Sequence, residues 1–181
     1  EGKDIPLEVF KKMCKQFQSL VIPDDVKGSY KKNEPRLNNH ILEVNENDFI
    51  GVDLDGTLAL INDRSPYDGG ACSTDVVNGV VADIMSKYKN VIIFSGRNSD
   101  NGGKEATEKW LSDNNINYTE LYMRKEKDTR PDTVIKEEMY NEAIVSKGRR
   151  LAFQIDDRDS LVDMWRNKLN IHVMQCYYGD F

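Results

Sequence analysis

The chain has 181 residues, 39% of them apolar and 31% charged, and its 25 Lys and Arg against 31 Asp and Glu give a net charge of −6. One domain of that length can bury a sizeable core, and two full domains would be cramped. The acidic balance leaves no chain-wide basic footprint, so any nucleic-acid contact has to rest on local charge. No run of about 18 apolar residues exists, which excludes a membrane-spanning helix. The start, Glu1-Gly2-Lys3-Asp4, has no basic-then-apolar leader pattern and no initiator methionine, so the expectation is a chain cut or processed from a longer protein. Cys14, Cys72 and Cys176 are scattered, odd in number and free of any Cys-x-x-Cys, as in a protein of the reducing cytoplasm. With only His40 and His172, a His-rich zinc site is excluded.

In chain order, residues 6–20 carry Leu7, Phe10, Met13, Cys14 and Phe17 at helical spacing and predict a helix. Were this helix a remnant of an upstream domain, its apolar stripe would be a self-association surface. The polar stretch 23–47, with Pro23, Gly28 and Pro35, reads as a linker or irregular arm. From residue 48 the texture changes. FIGVDLDG is an apolar run ending in acids and a glycine; 76–88 reads as a helix; 90–97, NVIIFSGR, is again apolar and breaks into polar residues. A helix at 104–114, a strand at 119–124 and a helix at 131–144 follow, the last with Pro131 near its first turn, where a missing N–H costs little. Residues 150–158, RLAFQIDDR, are a third apolar run ending in acids, followed by a helix at 159–169 and a strand at 171–178. Short apolar strands alternating with helices predict an α/β fold: a doubly wound parallel sheet with helices on both faces. In such sheets the chemistry gathers at the carboxyl ends of the strands, which is where the polar residues fall here.

Asp53 and Asp55 end the first run, and strand alternation sends both to one side. Two such carboxylates repel unless a cation or a shared proton intervenes, and one can then attack while the other handles protons. Taken alone, Asp-x-Asp-Gly is equally an ordinary acidic turn. Ser95-Gly96-Arg97 puts a hydroxyl, exposed N–H groups and a guanidinium at a strand end, a set suited to phosphate. Lys136 lies early in the 131–144 helix, where an isolated lysine is usually a solvated surface group. Asp156 and Asp157 end the third run as hard oxygen ligands suited to Mg²⁺, or as acids at a helix N-terminus.

The order of these signals is more specific than any one of them. Asp-x-Asp-Gly-Thr, then Ser-Gly-Arg, then a helix lysine, then Asp-Asp resembles the haloacid dehalogenase superfamily of phosphotransferases. Asp53–Ala59, Asn62–Asp68, Asp128–Asp132, Val134–Glu138, Ile155–Arg158, Met164-Trp165-Arg166 and Gly179-Asp180-Phe181 together resemble the 3′-phosphatase domain of T-even phage polynucleotide kinase–phosphatases. That likeness covers 48–181, read as the phosphatase domain. A weaker one reaches into 4–20, so 1–47 reads as an N-terminal helix and linker left from an upstream kinase domain. No Gly-x-x-x-x-Gly-Lys-Ser/Thr loop is present, so this chain is not itself the kinase.

The resemblance implies a Mg²⁺-dependent polynucleotide 3′-phosphatase that heals DNA or RNA ends, with 2′,3′-cyclic phosphate as a further substrate. Asp53 would be the nucleophile and Asp55 the acid–base. Ser95, Gly96, Arg97, Lys136 and Arg64 would hold the phosphate, with Asp132 also in the active site. Mg²⁺ would be held by Asp53, the Asp55 carbonyl and the Asp156–Asp157 pair, with Asp157 the direct ligand. The partners implied are nucleic-acid 3′ ends, an upstream 5′-kinase domain and a ligase, in a host cytoplasm if phage-encoded. The insert at 58–75 is too short for a large cap, and an open mouth suits the end of a polymer. Residues 124–130 hold four basic and two acidic side chains, a candidate phosphate-tracking patch. Tyr67, Tyr122 and Trp110 are candidates for stacking on a base, although the spacing of Trp110 and Trp165 is that of core residues. The stretch 98–103 is shorter than the family's loop. The alternatives are a small-metabolite phosphatase of the same superfamily, a receiver-like signalling module, whose acid pair would precede its phosphorylated Asp, and a non-catalytic orphan domain.

Overall fold

The computed structural model describes Glu8 and residues 43–65, 68–100 and 102–179. The helix expected at 6–20 (Glu8 apart), most of the arm at 23–47, Tyr67 and the last two residues lie outside them. The chain divides into two compact units, Glu1–Leu37 and Asn38–Phe181, and the account that follows concerns the second.

Strand β1 (Phe49–Asp53) is central and buried through Ile50 and Val52. Five strands form a sheet in the order β5-β4-β1-β6-β7, with every pairing parallel. They are β4 (Val91–Asn98), β5 (Glu120–Arg124), β6 (Leu151–Arg158) and β7 (Val173–Gly179) around β1. Val52 is in register with Ile93 of β4 and Ile155 of β6. Because β1, β4 and β6 have sheet on both sides and helices above and below, they read as unbroken apolar runs.

Helices α1 (Gly79–Ser86) and α2 (Gly103–Asp113) bring Val81, Met85, Trp110 and Leu111 into one core with Ile50, Val52 and Ile93. A second core gathers Ile135 and Met139 of α3 (Asp132–Tyr140), Leu161 and Val162 of α4 (Asp159–Asp163), Trp165, and Ile92 and Phe94 of β4. Residues next to each other in β4 thus serve opposite cores, the period-two signature of a sheet covered on both faces. Both α3 and α4 run on into a wide π-type turn, Asn141–Val145 and Met164–Lys168, which accounts for the longer helices read from sequence.

The helix expected at 76–88 starts later. Val76–Val77 forms β3, paired antiparallel with β2 (Ala59–Leu60), and Asn78 caps α1 by accepting the N–H of Val80 at 3.3 Å. Two adjacent β-branched residues followed by an Asx cap favour a strand that ends where the helix begins. The insert between Thr57 and α1 is therefore a two-stranded flap and a 3₁₀ segment, Gly69–Thr74, rather than a separate cap.

The chain starts mid-sheet, winds outward through β4 to β5, then returns to the far side of β1 as β6. The direction of winding reverses between β1 and β6. A crevice opens at the carboxyl ends of the strands flanking such a reversal. Asp53 ends β1, and Asp156 and Asp157 lie near the end of β6.

Candidate active site

Asp53 and Lys136 meet there. The Lys136 Nζ donates to Asp53 Oδ1 at 2.5 Å and to Asp156 Oδ2 at 3.2 Å, and the lysine is 2% exposed. The lysine that an isolated helix position would place in solvent is instead turned into the sheet edge by α3. Asp156 is fully engaged: its Oδ2 also accepts the Trp165 indole N–H at 3.1 Å, and its Oδ1 accepts the backbone N–H of Asp157 at 3.1 Å. Asp157 is half engaged. Its Oδ1 accepts the Thr57 hydroxyl at 3.3 Å, while its Oδ2 is buried with no hydrogen-bond partner.

These residues fit a hard dication. Among the described residues, carboxylate oxygens of Asp53, Asp156 and Asp157 lie within 4.8 Å of one another. Three buried carboxylates against one ammonium leave a formal −2. Burial raises the Asp53 carboxyl well above its ordinary range; Lys136 pulls it back only in part, and Asp156 and Asp157 add to the rise. Asp157 is raised too, by burial first and by Asp156 next. Burial opposes the Lys136 charge, yet Asp156 and Asp53 outweigh it and hold the lysine protonated. Gly56, with φ at +85°, keeps the space beside the orphaned oxygen clear: a Cβ there would sit 2.3 Å from Asp157 Oδ2. A buried cluster of oxygen donors with one unsatisfied carboxylate oxygen is the donor set Mg²⁺ takes.

Asp55 has separate company. β1 ends at Asp53, so strand alternation does not carry the two carboxylates to one side, contrary to expectation. A turn places Asp55 instead, with Leu54 O accepting the N–H of Leu58 at 3.0 Å and of Ala59 at 2.7 Å. Both carboxylates still line one cleft of about 590 Å³. Asp55 Oδ1 accepts Arg64 Nη2 at 2.6 Å and Arg97 Nη2 at 2.7 Å, and its Oδ2 accepts Arg97 Nε at 2.8 Å. Arg64 comes from the insert and Arg97 from the end of β4. Behind them both guanidiniums reach Asp75, a residue the sequence reading passed over: Asp75 Oδ2 accepts an Nη2 of each at 2.7 Å. No motif marked Asp75, because its role depends on two arginines that are distant in sequence.

Ser95 is wholly buried at the site's floor, where its Oγ accepts the Arg97 N–H at 3.1 Å. Gly96 lines the cleft, its carbonyl accepting Arg124 Nε at 2.9 Å. Asp132, in the first turn of α3, accepts from Arg124 and, at 2.6 Å, from Arg158 Nη1. The structure therefore brings Asp53, Asp55, Gly96, Arg97, Asp132, Lys136 and Asp157 to one cleft, with Arg64, Ser95 and Asp156 directly behind. It also adds Thr57 and Arg158, neither of which was assigned a part from sequence, and gives Arg124 a place beside Asp132.

Two expectations need correction. Two of the four basic side chains of the loop 124–130 are committed within the protein: Arg124 is tied to Asp132 and to backbone carbonyls. Arg130 is tied to Asp128 at 2.7 Å and Glu138 at 2.7 Å. The stacking candidates also fail where they are described. Trp110 is 2% exposed, in the core its spacing indicated, and Tyr122 lies in a neighbouring cavity, tilted on Phe94 at 5.9 Å.

A parallel sheet with an Asp at the end of the first strand, a lysine facing it and an acid pair near the end of β6 defines a haloacid dehalogenase-like phosphohydrolase. Residues 47–181 match the polynucleotide kinase PNKP phosphatase domain family, and the chain belongs to that family. A protein of Autographa californica nuclear polyhedrosis virus, named as a bifunctional polynucleotide kinase/RNA ligase, is 31% identical over 157 residues, which is 80% of this chain and 22% of the viral protein. Two solved structures of the Pnkp1/Rnl/Hen1 complex contain a similar chain. One aligns with TM-score 0.73 and 37% identity over 82% of this chain and 52% of that one. The other, described as an RNA repair complex, aligns with TM-score 0.71 and 33% identity over 100% of this chain and 59% of that one. This chain thus spans a fifth to three fifths of the relatives it matches.

Proposed function

We propose that the chain is a Mg²⁺-assisted 3′-phosphatase for DNA or RNA ends, working through an aspartyl-phosphate on Asp53. The observation that carries this is the division of labour between two carboxylates in one cleft: Asp53 buried against Lys136 and the acid pair, Asp55 half-exposed on two arginines. An Asp53 oxygen attacks the terminal phosphorus, and the bond to the 3′ oxygen breaks. Asp55 gives that oxygen its proton, then takes a proton from the water that hydrolyses the acyl phosphate, releasing inorganic phosphate. Lys136 and the Ser95-Gly96-Arg97 end of β4 hold the non-bridging oxygens, with Arg64 and Asp132 ordering the mouth. Because the transition state is largely metaphosphate-like, positioning and positive charge carry most of the catalysis. Asp53, the Asp55 carbonyl and Asp157 would hold the cation, which masks phosphate charge against an anionic nucleophile; the orphaned Asp157 Oδ2 supports Asp157 as the direct ligand, with Asp156 behind it.

We extend the substrates to 2′,3′-cyclic phosphate ends on the family resemblance. Arginines at the mouth held by acids, Arg124 and Arg158 sharing Asp132 and Arg130 held by Asp128 and Glu138, on a chain of net charge −6, support recognition of the terminal phosphate and a nucleotide or two rather than a long tract. The names of the relatives support an upstream kinase domain and a ligase as partners. The test is phosphate release from a 3′-phosphate oligonucleotide with Mg²⁺, beside a 5′-phosphate oligonucleotide and a panel of sugar phosphates, with Asp53→Asn as the blank. Release from the 3′ end alone, absent in the variant, is expected. Preference for sugar phosphates would return the chain to a small-metabolite phosphatase.

A further inference from the structure

Asp75 follows the 3₁₀ segment of the insert and immediately precedes β3. Its side chain has no exposed surface, so it does not meet substrate. Its Oδ1 accepts Arg64 Nε at 2.8 Å, and its Oδ2 accepts Arg64 Nη2 and Arg97 Nη2 at 2.7 Å each. Across the same two Nη2 atoms stands Asp55 Oδ1, at 2.6 and 2.7 Å. The four groups form a square of alternating charge, with Asp75 at the closed corner and Asp55, 24% exposed, at the corner open to the cleft.

The closed corner is braced independently of substrate. The Asp75 N–H donates to Cys72 O at 3.0 Å, and its carbonyl accepts the Trp110 indole N–H at 3.0 Å. Arg97 Nη1 donates to the Thr107 hydroxyl at 3.2 Å, so α2 holds both ends of this brace. Arg64 and Arg97 are 4% and 1% exposed at the side chain. Two buried like charges that share one mobile carboxylate would be costly to hold together. Asp75 supplies the second, immobile one. Asp55 can then exchange an arginine for the substrate's oxygen or for a water without leaving a bare pair of cations behind it.

We infer that Asp75 is a positioning residue for the acid–base step, acting on Asp55 through the Arg64–Arg97 pair. The inference rests on the proposed role of Asp55. A brace that only held the fold together would affect all substrates alike. One that aims an acid matters most where the leaving group needs a proton. The 3′ alkoxide needs one, and p-nitrophenolate does not.

The experiment compares the full-length wild type with Asp75→Asn and Asp75→Glu, and with Asp55→Asn as reference. It uses single-turnover hydrolysis of a 3′-phosphate oligonucleotide and the first-turnover burst from p-nitrophenyl phosphate. In Asp75→Asn we expect the oligonucleotide rate to fall about 100-fold, the scale of a lost acid–base contribution, while the burst changes less than about threefold. Asp75→Glu, which keeps the charge and moves it, should show the same selectivity more weakly, and it carries the comparison if the Asn variant does not fold. Equal losses on both substrates, or no loss on either, overturn the inference. A wild type that releases no phosphate from the oligonucleotide overturns the reading of Asp55 on which it rests.

Discussion

Asp156 and Asp157 are neighbours with the same chemistry, yet they have different work. Asp156 spends both oxygens inside the protein, on Lys136, Trp165 and the backbone, and becomes the fixed floor of the site. Asp157 keeps one buried oxygen unsatisfied, a position that costs stability until something compensates it. Its folded carboxyl is raised above the ordinary 3.8. The sign follows: the folded state resists ionisation, so stability is full below the ordinary value and falls as pH rises from there towards the folded value. At neutral pH with chelator, Asp157→Asn should therefore melt above the wild type by differential scanning calorimetry. Saturating Mg²⁺ should raise the wild-type melting point, by about 2.7 kcal/mol of stabilisation at a hundred times Kd, and leave the variant unmoved. A wild type indifferent to Mg²⁺ would remove the cation from this site. From sequence the pair was legible as ligands, and the resemblance already implied Asp157 as the direct one; the physical reason for the difference was not legible, because Trp165 and Lys136 reach Asp156 through the tertiary fold.

At the level of elements, β1, β4 and β6 were legible because strands buried on both faces are written as apolar runs. The approach of their carboxyl ends was legible because polar residues take over in the last positions of each strand. The flap strand Val76–Val77 was not: two residues carry no periodicity, and their partner strand is two residues long as well. The edge strand β5 ends the sheet and carries Glu120, whose environment the sequence also hides. Burial would raise this carboxyl, but hydrogen bonds from Lys147, Tyr122 and Arg149 outweigh it and hold it at about 2, against an ordinary 4.5. A depressed acid contributes stability above its unfolded value and loses it as pH falls towards the folded one. Glu120→Gln should flatten the fall in melting temperature between pH 4.5 and about 2, read by circular dichroism. The group is partly solvent-facing, so the flattening should shrink in high salt. An unchanged slope would mean that the three partners contribute nothing.

At the scale of the molecule, the reversal of winding between β1 and β6 makes the site, since it sets the ends of two strands about 100 residues apart in sequence side by side, with Asp53 facing the Asp156–Asp157 pair. The family match begins at 47 and the second compact unit at Asn38, so we expect residues 38–181 alone to unfold cooperatively and to keep the 3′-phosphatase activity proposed for the whole chain. Loss of activity in a folded fragment would place part of the site in the first 37 residues. The alternation of strands and helices, the order of acid, hydroxyl–arginine, lysine and acid pair, and hence the family, could be read along the chain, because periodicity and motif order are properties of a line of residues. Only the tertiary structure decided that Asp53 and Asp55 face different cations, that Arg64 and Arg97 share Asp75, and that the loop arginines are matched by acids. Such pairings depend on which distant side chains a buried, low-dielectric cleft forces together, and no spacing along the chain encodes them.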